Sequence, residues 1–316
     1  MTRPRGFGPS STTDEVLVGI DLTGRTALVT GASGGLGAET ARALASKRCA
    51  VTLAARDVDK AATVADSIRT KHPHAIVDVG RLELADPESV TRFVQSWTAG
   101  HDELHILVLN AGVMACPLTR TTDGFELQFA TNHLGHFGLT MGLLDALRAG
   151  APARVVSVSS GAHALSAVVF EDIHYQAREY DPWTAYGQSK TANVLFAVEL
   201  DRRYRDAGVR AFAAHPGMIG TDLGRHLTRE SIARIRSVAG AAGEPPKSVA
   251  QGAATAVWAA TAPELAGTGG VYLADCSIAP PTEAGSPGYA SHAVDPDAAR
   301  RLWEISTMTG THAHTS

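Results

Sequence analysis

The sequence predicts a doubly wound α/β fold: a single Rossmann-type parallel sheet of about seven strands with helices on both faces. Three observations carry this prediction. Short apolar, β-branched runs alternate with longer segments of helical period, a glycine-rich turn follows the first run, and no linker-like change of composition interrupts the series.

The runs expected to be strands are Thr26–Thr30, Ala50–Ala54, Ala75–Val79, His105–Leu109, Arg154–Ser159, Val209–Ala214 and Gly270–Ala274. Each except the last is followed by enough chain for the crossover helix that parallel neighbours require. Asp86-Pro87-Glu88 supplies a cap, a first-turn proline and a first-turn acid ahead of Val90, Phe93, Val94 and Trp97. Asp181 and Pro182 open a second helix in the same way. Three segments lie outside the alternation: an arm over residues 1–20, a lid-like stretch over 222–247, and a tail over 279–316 that ends in a helix from Pro296 to Met308. The arm and residues 311–316 are expected to be mobile. Residues 21–278 then form one main domain that includes the lid-like stretch.

Of 316 residues, 44% are hydrophobic, enough for a sizeable core. The 28 Lys plus Arg nearly balance 32 Asp plus Glu without a basic run, which argues against nucleic acid as a partner. The broken apolar run Val16–Ile20 lacks a cleavage site, and no segment is long enough to span a bilayer, so a cytoplasmic protein without a membrane partner is expected. Cys49, Cys116 and Cys276 fit neither a disulfide framework nor a metal spacing and read as buried thiols.

The glycine turn runs Thr30-Gly31-Ala32-Ser33-Gly34-Gly35-Leu36-Gly37 and leads into a helix. Glycines there let backbone approach a pyrophosphate, and the amides of a helix N-terminus favour its charge. The spacing is T-G-x-x-x-G-x-G rather than G-x-G-x-x-G. At the end of the second strand stands Ala54-Ala55-Arg56, with no acid to bind a ribose 2′-hydroxyl. Arg56 and Ser33, with Lys60 as a third donor, are candidates for the 2′-phosphate of NADP(H). Asp57 would oppose that phosphate if it pointed inward, and the bland alternative is a solvated arginine at a strand end.

Tyr186 and Lys190 stand at i and i+4, on one face of a helix. An ammonium beside a phenol lowers its pKa from about 10, so Lys190 is expected to activate Tyr186. The fifth strand ends in Ser159-Ser160, where a hydroxyl is placed to bond a substrate oxygen. Asn110-Ala111-Gly112 closes the fourth strand, Asn132 lies on the next helix, and His215-Pro216-Gly217 with Thr221 follows the sixth. All lie at carboxyl ends of strands or on the helices after them, where open α/β sheets bind ligands.

These motifs, in this order from Asp21 to about Asp275, resemble the short-chain dehydrogenase/reductase family. Asn132-His133-Leu134-Gly135-His136-Phe137, Ser159-Ser160-Gly161-Ala162-His163, Ser189-Lys190-Thr191-Ala192-Asn193 and the late Leu302-Trp303 are similar to its retinol dehydrogenase and carbonyl-reductase-like branch. The resemblance implies that Tyr186 is general acid in reduction and general base in oxidation. Lys190 would bind the nicotinamide ribose and tune Tyr186, and Ser160, second of its pair, would hold the carbonyl oxygen. Asn132 would anchor a water-linked proton path to Lys190. The implied NADP(H) contacts are Gly31, Ser33, Gly35, Leu36, Gly37, Arg56, Glu83, Leu84, Asn110, Ala111, Gly112, Tyr186, Lys190, Pro216, Gly217 and Thr221. Glu83-Leu84 stands where the branch often has Asp-Leu.

Thirteen histidines form no metal motif, and His133 and His136 read as structural or hydrogen-bonding groups rather than ligands. Val168, Val169, Phe170, Ile173, Tyr175, Tyr180 and Trp183, with Met218–Leu227, are expected to wall an apolar substrate pocket, the alternative being that they pack the loop onto the sheet. The expected activity is NADPH-dependent reduction of a small-molecule ketone or aldehyde. Alcohol oxidation and a redox sensor without turnover are the competing readings. A homo-oligomer stays open, because the helices of Asn132 and Tyr186 are the family's usual dimer faces and the loop before Tyr186 would obstruct them.

Overall fold

The computed structural model describes residues 6–219, 246–281 and 288–312. Among the described residues eight strands form one sheet: β1 (Thr26–Thr30), β2 (Ala50–Ala55), β3 (Val77–Arg81), β4 (Ile106–Leu109), β5 (Ala153–Val158), β6 (Val209–His215), β7 (Val271–Ala274) and β8 (Ser277–Ile278). Their order is β3-β2-β1-β4-β5-β6-β7-β8, parallel throughout except for the antiparallel β7–β8 pair. The α-helices among the described residues, in chain order, are α1 (Thr13–Val16), α2 (Gly35–Ser46), α3 (Val58–Lys71), α4 (Pro87–Thr98), α5 (Leu127–Phe129), α6 (Gly135–Gly142), α7 (Leu144–Ala149), α8 (Pro182–Tyr204), α9 (Val249–Thr261) and α10 (Pro296–His312).

Side chains alternate across each strand, so the two faces build two cores. On one, Val29, Val51, Val108, Val156 and Phe212 meet Leu44 of α2 and Val257 of α9. On the other, Leu28, Leu107, Leu109 and Val155 meet Phe93 and Trp97 of α4, Leu139 of α6 and Phe196 of α8. Carboxylates start the helices that matter here: Asp57 accepts from the Lys60 amide at 3.1 Å, Asp86 from Glu88 at 3.0 Å and Asp181 from Thr184 at 2.7 Å.

Several boundaries differ from expectation. The third strand begins at Val77 rather than Ala75, because Ala75 closes a turn on His72 and Ile76 faces solvent. An eighth strand returns beside β7 through Asp275 and Cys276, both with positive φ (52° and 54°). Two-residue hairpins of that kind favour Asn-Gly or Asp-Gly, so Asp-Cys gave no signal. Within the described part of the N-terminal arm, residues 12–17 are docked rather than mobile. Thr12 and Glu15 form a capping box, Asp14 pairs with Arg42 of α2 at 2.8 Å, and Val16 and Leu17 enter the core. The final helix runs on to His312, and Trp303 lies edge-on to Phe137 at 5.0 Å. Of the lid-like stretch only Pro246 and Lys247 fall within the described residues, and 313–316 lie outside them.

Candidate active site

β1 and β4 are neighbours, and strand order reverses between them, which opens a crevice at their carboxyl ends. Thr30 organises it. Its hydroxyl accepts from the Asn110 amide at 2.9 Å and the Ala111 amide at 3.0 Å, while Asn110 Nδ2 donates to the Thr30 carbonyl at 2.8 Å. Gly31 follows with φ 66°, and a Cβ there would stand 2.8 Å from Ala111 Cα. A Cβ on Gly37 would overlap the Gly31 carbonyl and stand 2.6 Å from Asn110 Nδ2. The turn is therefore closed by backbone packed on backbone.

Helix α2 starts at Gly35 with no side-chain cap on its N-terminus and no acid in its first turn. First-turn amides have no intrahelical partner, so those of Gly35, Leu36 and Gly37 suit a pyrophosphate. Ser33 lies half-buried just before them, and Leu36, Asn110, Val158 and Pro216 line a cleft beside the turn.

At the β2 end the Arg56 side chain is 70% exposed and pairs with Glu83 at 3.5 Å. Asp57 is committed to the α3 cap and to Lys60, 3.2 Å away, so it does not contest a phosphate beside Arg56. Leu84 is buried, and its carbonyl packs so closely on Gly135 that a Cβ there would overlap it. A Cβ on Gly112 would stand 3.0 Å from Asn132 Oδ1, and Gly217, after Pro216, donates its amide to His215 Nδ1 at 3.4 Å. Thr221 lies outside the described residues.

Ser160, Tyr186 and Lys190 come together at the ends of β5 and the buried face of α8. The two serines divide their work: Ser159 Oγ donates to the Lys190 carbonyl at 2.8 Å, whereas the Ser160 hydroxyl bonds to the Tyr186 phenol and accepts the Ala162 amide at 3.1 Å. Lys190 Nζ donates to the Val158 carbonyl at 2.9 Å and lies 5.6 Å from the centre of the Tyr186 ring. Asn132 sits in a π-helical turn, Ala130–Leu134, rather than in regular helix. Its Oδ1 accepts from the Val113 amide at 2.8 Å, and its Nδ2 donates to the Val113 carbonyl at 3.0 Å and to Ser189 Oγ at 2.9 Å.

The expected effect of Lys190 on Tyr186 is corrected by burial. Desolvation pushes the phenol up to about 12, with the Ser160 hydroxyl pulling the other way, and it brings the Lys190 ammonium down to about 8. In this state Tyr186 keeps its proton at neutral pH.

The pocket wall also differs from expectation. Met114, Ala115, Leu165, Trp183 and Met218 cluster with Tyr186, and Trp183 stands edge-on to it at 6.3 Å. Val168, Phe170 and Ile173 pack instead on Phe129, Leu195 and Leu302. Tyr180 donates to the Cys116 carbonyl at 3.0 Å, and Tyr175 stacks under Arg178 at 3.6 Å. The loop before Tyr186 thus mostly braces itself on α8. Met114, Ala115 and Leu165 carry no signal in the sequence beyond adjacency to the Asn-Ala-Gly and Ser-Ser motifs.

His133 Nε2 lies 2.8 Å from Ser306 Oγ, while His136 bonds Thr30 and Asn132, so the pair diverges. Burial holds His133 at about 3 and His136, His163 and His215 at about 4. Each is neutral when folded but takes a proton near pH 6.5 when unfolded, so acidification from 6.5 towards 4 protonates the unfolded chain first and destabilises the fold. Thermal melts are expected to lose at least about 5 °C between pH 7 and pH 5. A flat or rising Tm over that interval contradicts these assignments.

The short chain dehydrogenase family model matches residues 25–232. A probable oxidoreductase of Streptomyces antibioticus is 44% identical over 297 residues, covering 91% of this chain and 98% of the relative. Retinol dehydrogenase 12 of Mus musculus is 40% identical over 290 residues, covering 91% and 86%. A crystal structure of a putative uncharacterized protein from Mycobacterium Paratuberculosis superposes with a TM-score of 0.73 at 34% identity, over 97% of this chain and 98% of that one. Among the described residues no helix is long and apolar enough to cross a membrane. With the motifs assembled around one crevice and these relatives matched along nearly its whole length, the chain belongs to the short-chain dehydrogenase/reductase family of oxidoreductases, on its retinol dehydrogenase-like branch.

Proposed function

We propose that this protein is an NADPH-dependent carbonyl reductase acting on an apolar ketone or aldehyde, with Tyr186 as general acid. The observation that carries the reading is the Ser160–Tyr186 hydroxyl pair set among Met114, Ala115, Leu165, Trp183 and Met218. A carbonyl oxygen placed between the two hydroxyls receives hydrogen bonds from both, which stabilises the negative charge that develops on it. Tyr186 then passes its phenolic proton to that oxygen. With its pKa pushed up to about 12 by burial, the phenol carries a proton at neutral pH, as the acid role requires.

Bound NADPH would supply the hydride from its nicotinamide C4. The uncapped α2 N-terminus fits its pyrophosphate, and Arg56, exposed at the end of β2, fits the 2′-phosphate, with Ser33 as a second candidate donor. Lys190, which donates to the Val158 carbonyl, would hold the nicotinamide ribose, and Asn132 fixes the Val113 backbone and Ser189.

NADPH oxidation over a panel of apolar aldehydes and ketones tests the activity, and a panel in which no carbonyl compound is reduced would refute it. A charge-assisted contact contributes about 1.5–3 kcal/mol, so Arg56→Ala is expected to raise KM for NADPH about 10- to 100-fold and leave NADH kinetics little changed. Equal or better turnover of the native protein with NADH contradicts the assignment of Arg56.

A further inference from the structure

Between the glycine turn and Asn132 lies a fully buried imidazole that the proposed chemistry does not use. His136 is 2% exposed, with Nε2 2.8 Å from Thr30 Oγ1 and Nδ1 3.0 Å from the Asn132 carbonyl. The direction of these bonds follows from counting protons. Thr30 Oγ1 already accepts two amides, those of Asn110 and Ala111, so both lone pairs are filled and only its single proton remains to give. Its alternative acceptor, the Val108 carbonyl, is at 3.4 Å, so the proton goes to His136 Nε2. Nε2 is therefore unprotonated, and the ring proton sits on Nδ1 and is donated to Asn132. The opposite tautomer would set a bare Nδ1 against a carbonyl oxygen.

One directed chain thus runs from the amides at the end of β4, through Thr30 and His136, to the carbonyl within the π-turn. It continues through Asn132 Nδ2 to Ser189 Oγ, which donates at 2.8 Å to the Tyr186 carbonyl. The chain joins the strand ends that carry the cofactor loops to the helix that carries the reacting phenol.

We propose that His136, as the neutral Nδ1–H tautomer, is a positioning residue that fixes the Asn110–Gly112 loop and the Asn132 turn relative to each other. The proposal rests on the reading of Asn132, Tyr186 and Lys190 as the reacting centre. An imidazolium cannot replace it, because its second N–H would have to face a Thr30 hydroxyl whose lone pairs are filled, and the nearby Lys190 ammonium opposes the added charge. This role also bears on the proton path expected through Asn132: its carbonyl and both side-chain polar atoms are engaged by protein groups.

Nitrogen-15 NMR of the cofactor-free protein reads the tautomer directly. Neutral Nδ1–H at His136 from pH 6 to 8 is expected, and an Nε2–H ring or an imidazolium overturns the proposal. His136→Asn retains a short amide that can reach the Asn132 carbonyl but not Thr30, whereas His136→Phe removes both bonds. Reduced-nicotinamide fluorescence titration is expected to show NADPH affinity weakened about tenfold in His136→Asn and in Thr30→Val, with less than the product of the two effects in the double variant. In turnover, kcat is expected to fall at least about tenfold more in His136→Phe than in His136→Asn. Independent, multiplying effects on affinity, or a lowered Tm with unaltered affinity and kcat, would leave His136 as ordinary core and overturn the assignment. Should the His136 variants not fold, the tautomer of the native protein still decides. Should the native protein bind NADPH yet reduce nothing, the functional reading fails while the NMR and affinity results still judge His136.

Discussion

Tyr186→Phe is expected to lower kcat by about 10²- to 10⁴-fold, the usual worth of a positioned general acid, while NADPH affinity stays within about threefold. The substitution deletes one oxygen from a ring that is 4% exposed and leaves its contact with Trp183 in place. What disappears is the proton donor and the partner of the Ser160 hydroxyl. Fluorescence titration of NADPH beside steady-state kinetics separates the two effects. An active variant would show that Tyr186 is not the acid, and a variant that neither binds nor turns over would place Tyr186 in cofactor binding instead.

Gly37→Ala carries the second large effect, because the added methyl meets backbone rather than a movable side chain. Its Cβ would overlap the Gly31 carbonyl and crowd Asn110 Nδ2, so either the turn opens or α2 shifts off β1. Overpacking of this kind costs about 1–3 kcal/mol, and the same displacement spoils the amide cradle. At least a tenfold loss of NADPH affinity with a Tm lowered by about 3 °C or more is expected. Gly34, three residues away, is extended, and a Cβ there meets nothing within 4 Å, so Gly34→Ala is expected to hold Tm within about 2 °C. Equal behaviour of the two variants would contradict the account of the turn.

Much of the architecture was legible because buried parallel strands are short apolar runs and their helices open with Asp or Asp-Pro. The glycine turn, Tyr186, Lys190 and Ser160 could be read because local spacing fixes their geometry. What stayed hidden depends on contacts distant in sequence. Thr30 reaches Asn110 across 80 positions and His136 across 106, and no local pattern reports such pairs. The fate of the aromatic loop before Tyr186 was set by Leu302 of the last helix, over a hundred residues on. The phenol's pKa is raised rather than lowered, because helical spacing shows a neighbouring ammonium but not the burial of the ring.

The central claim, that a carbonyl compound is reduced at Tyr186, is tested most directly by single-turnover reaction with NADPH carrying deuterium on the transferred C4 position. Deuterium is expected on the carbinol carbon of the product with the native protein, and almost none over the same time with Tyr186→Phe. Product without label, or label transferred equally well by Tyr186→Phe, would contradict it.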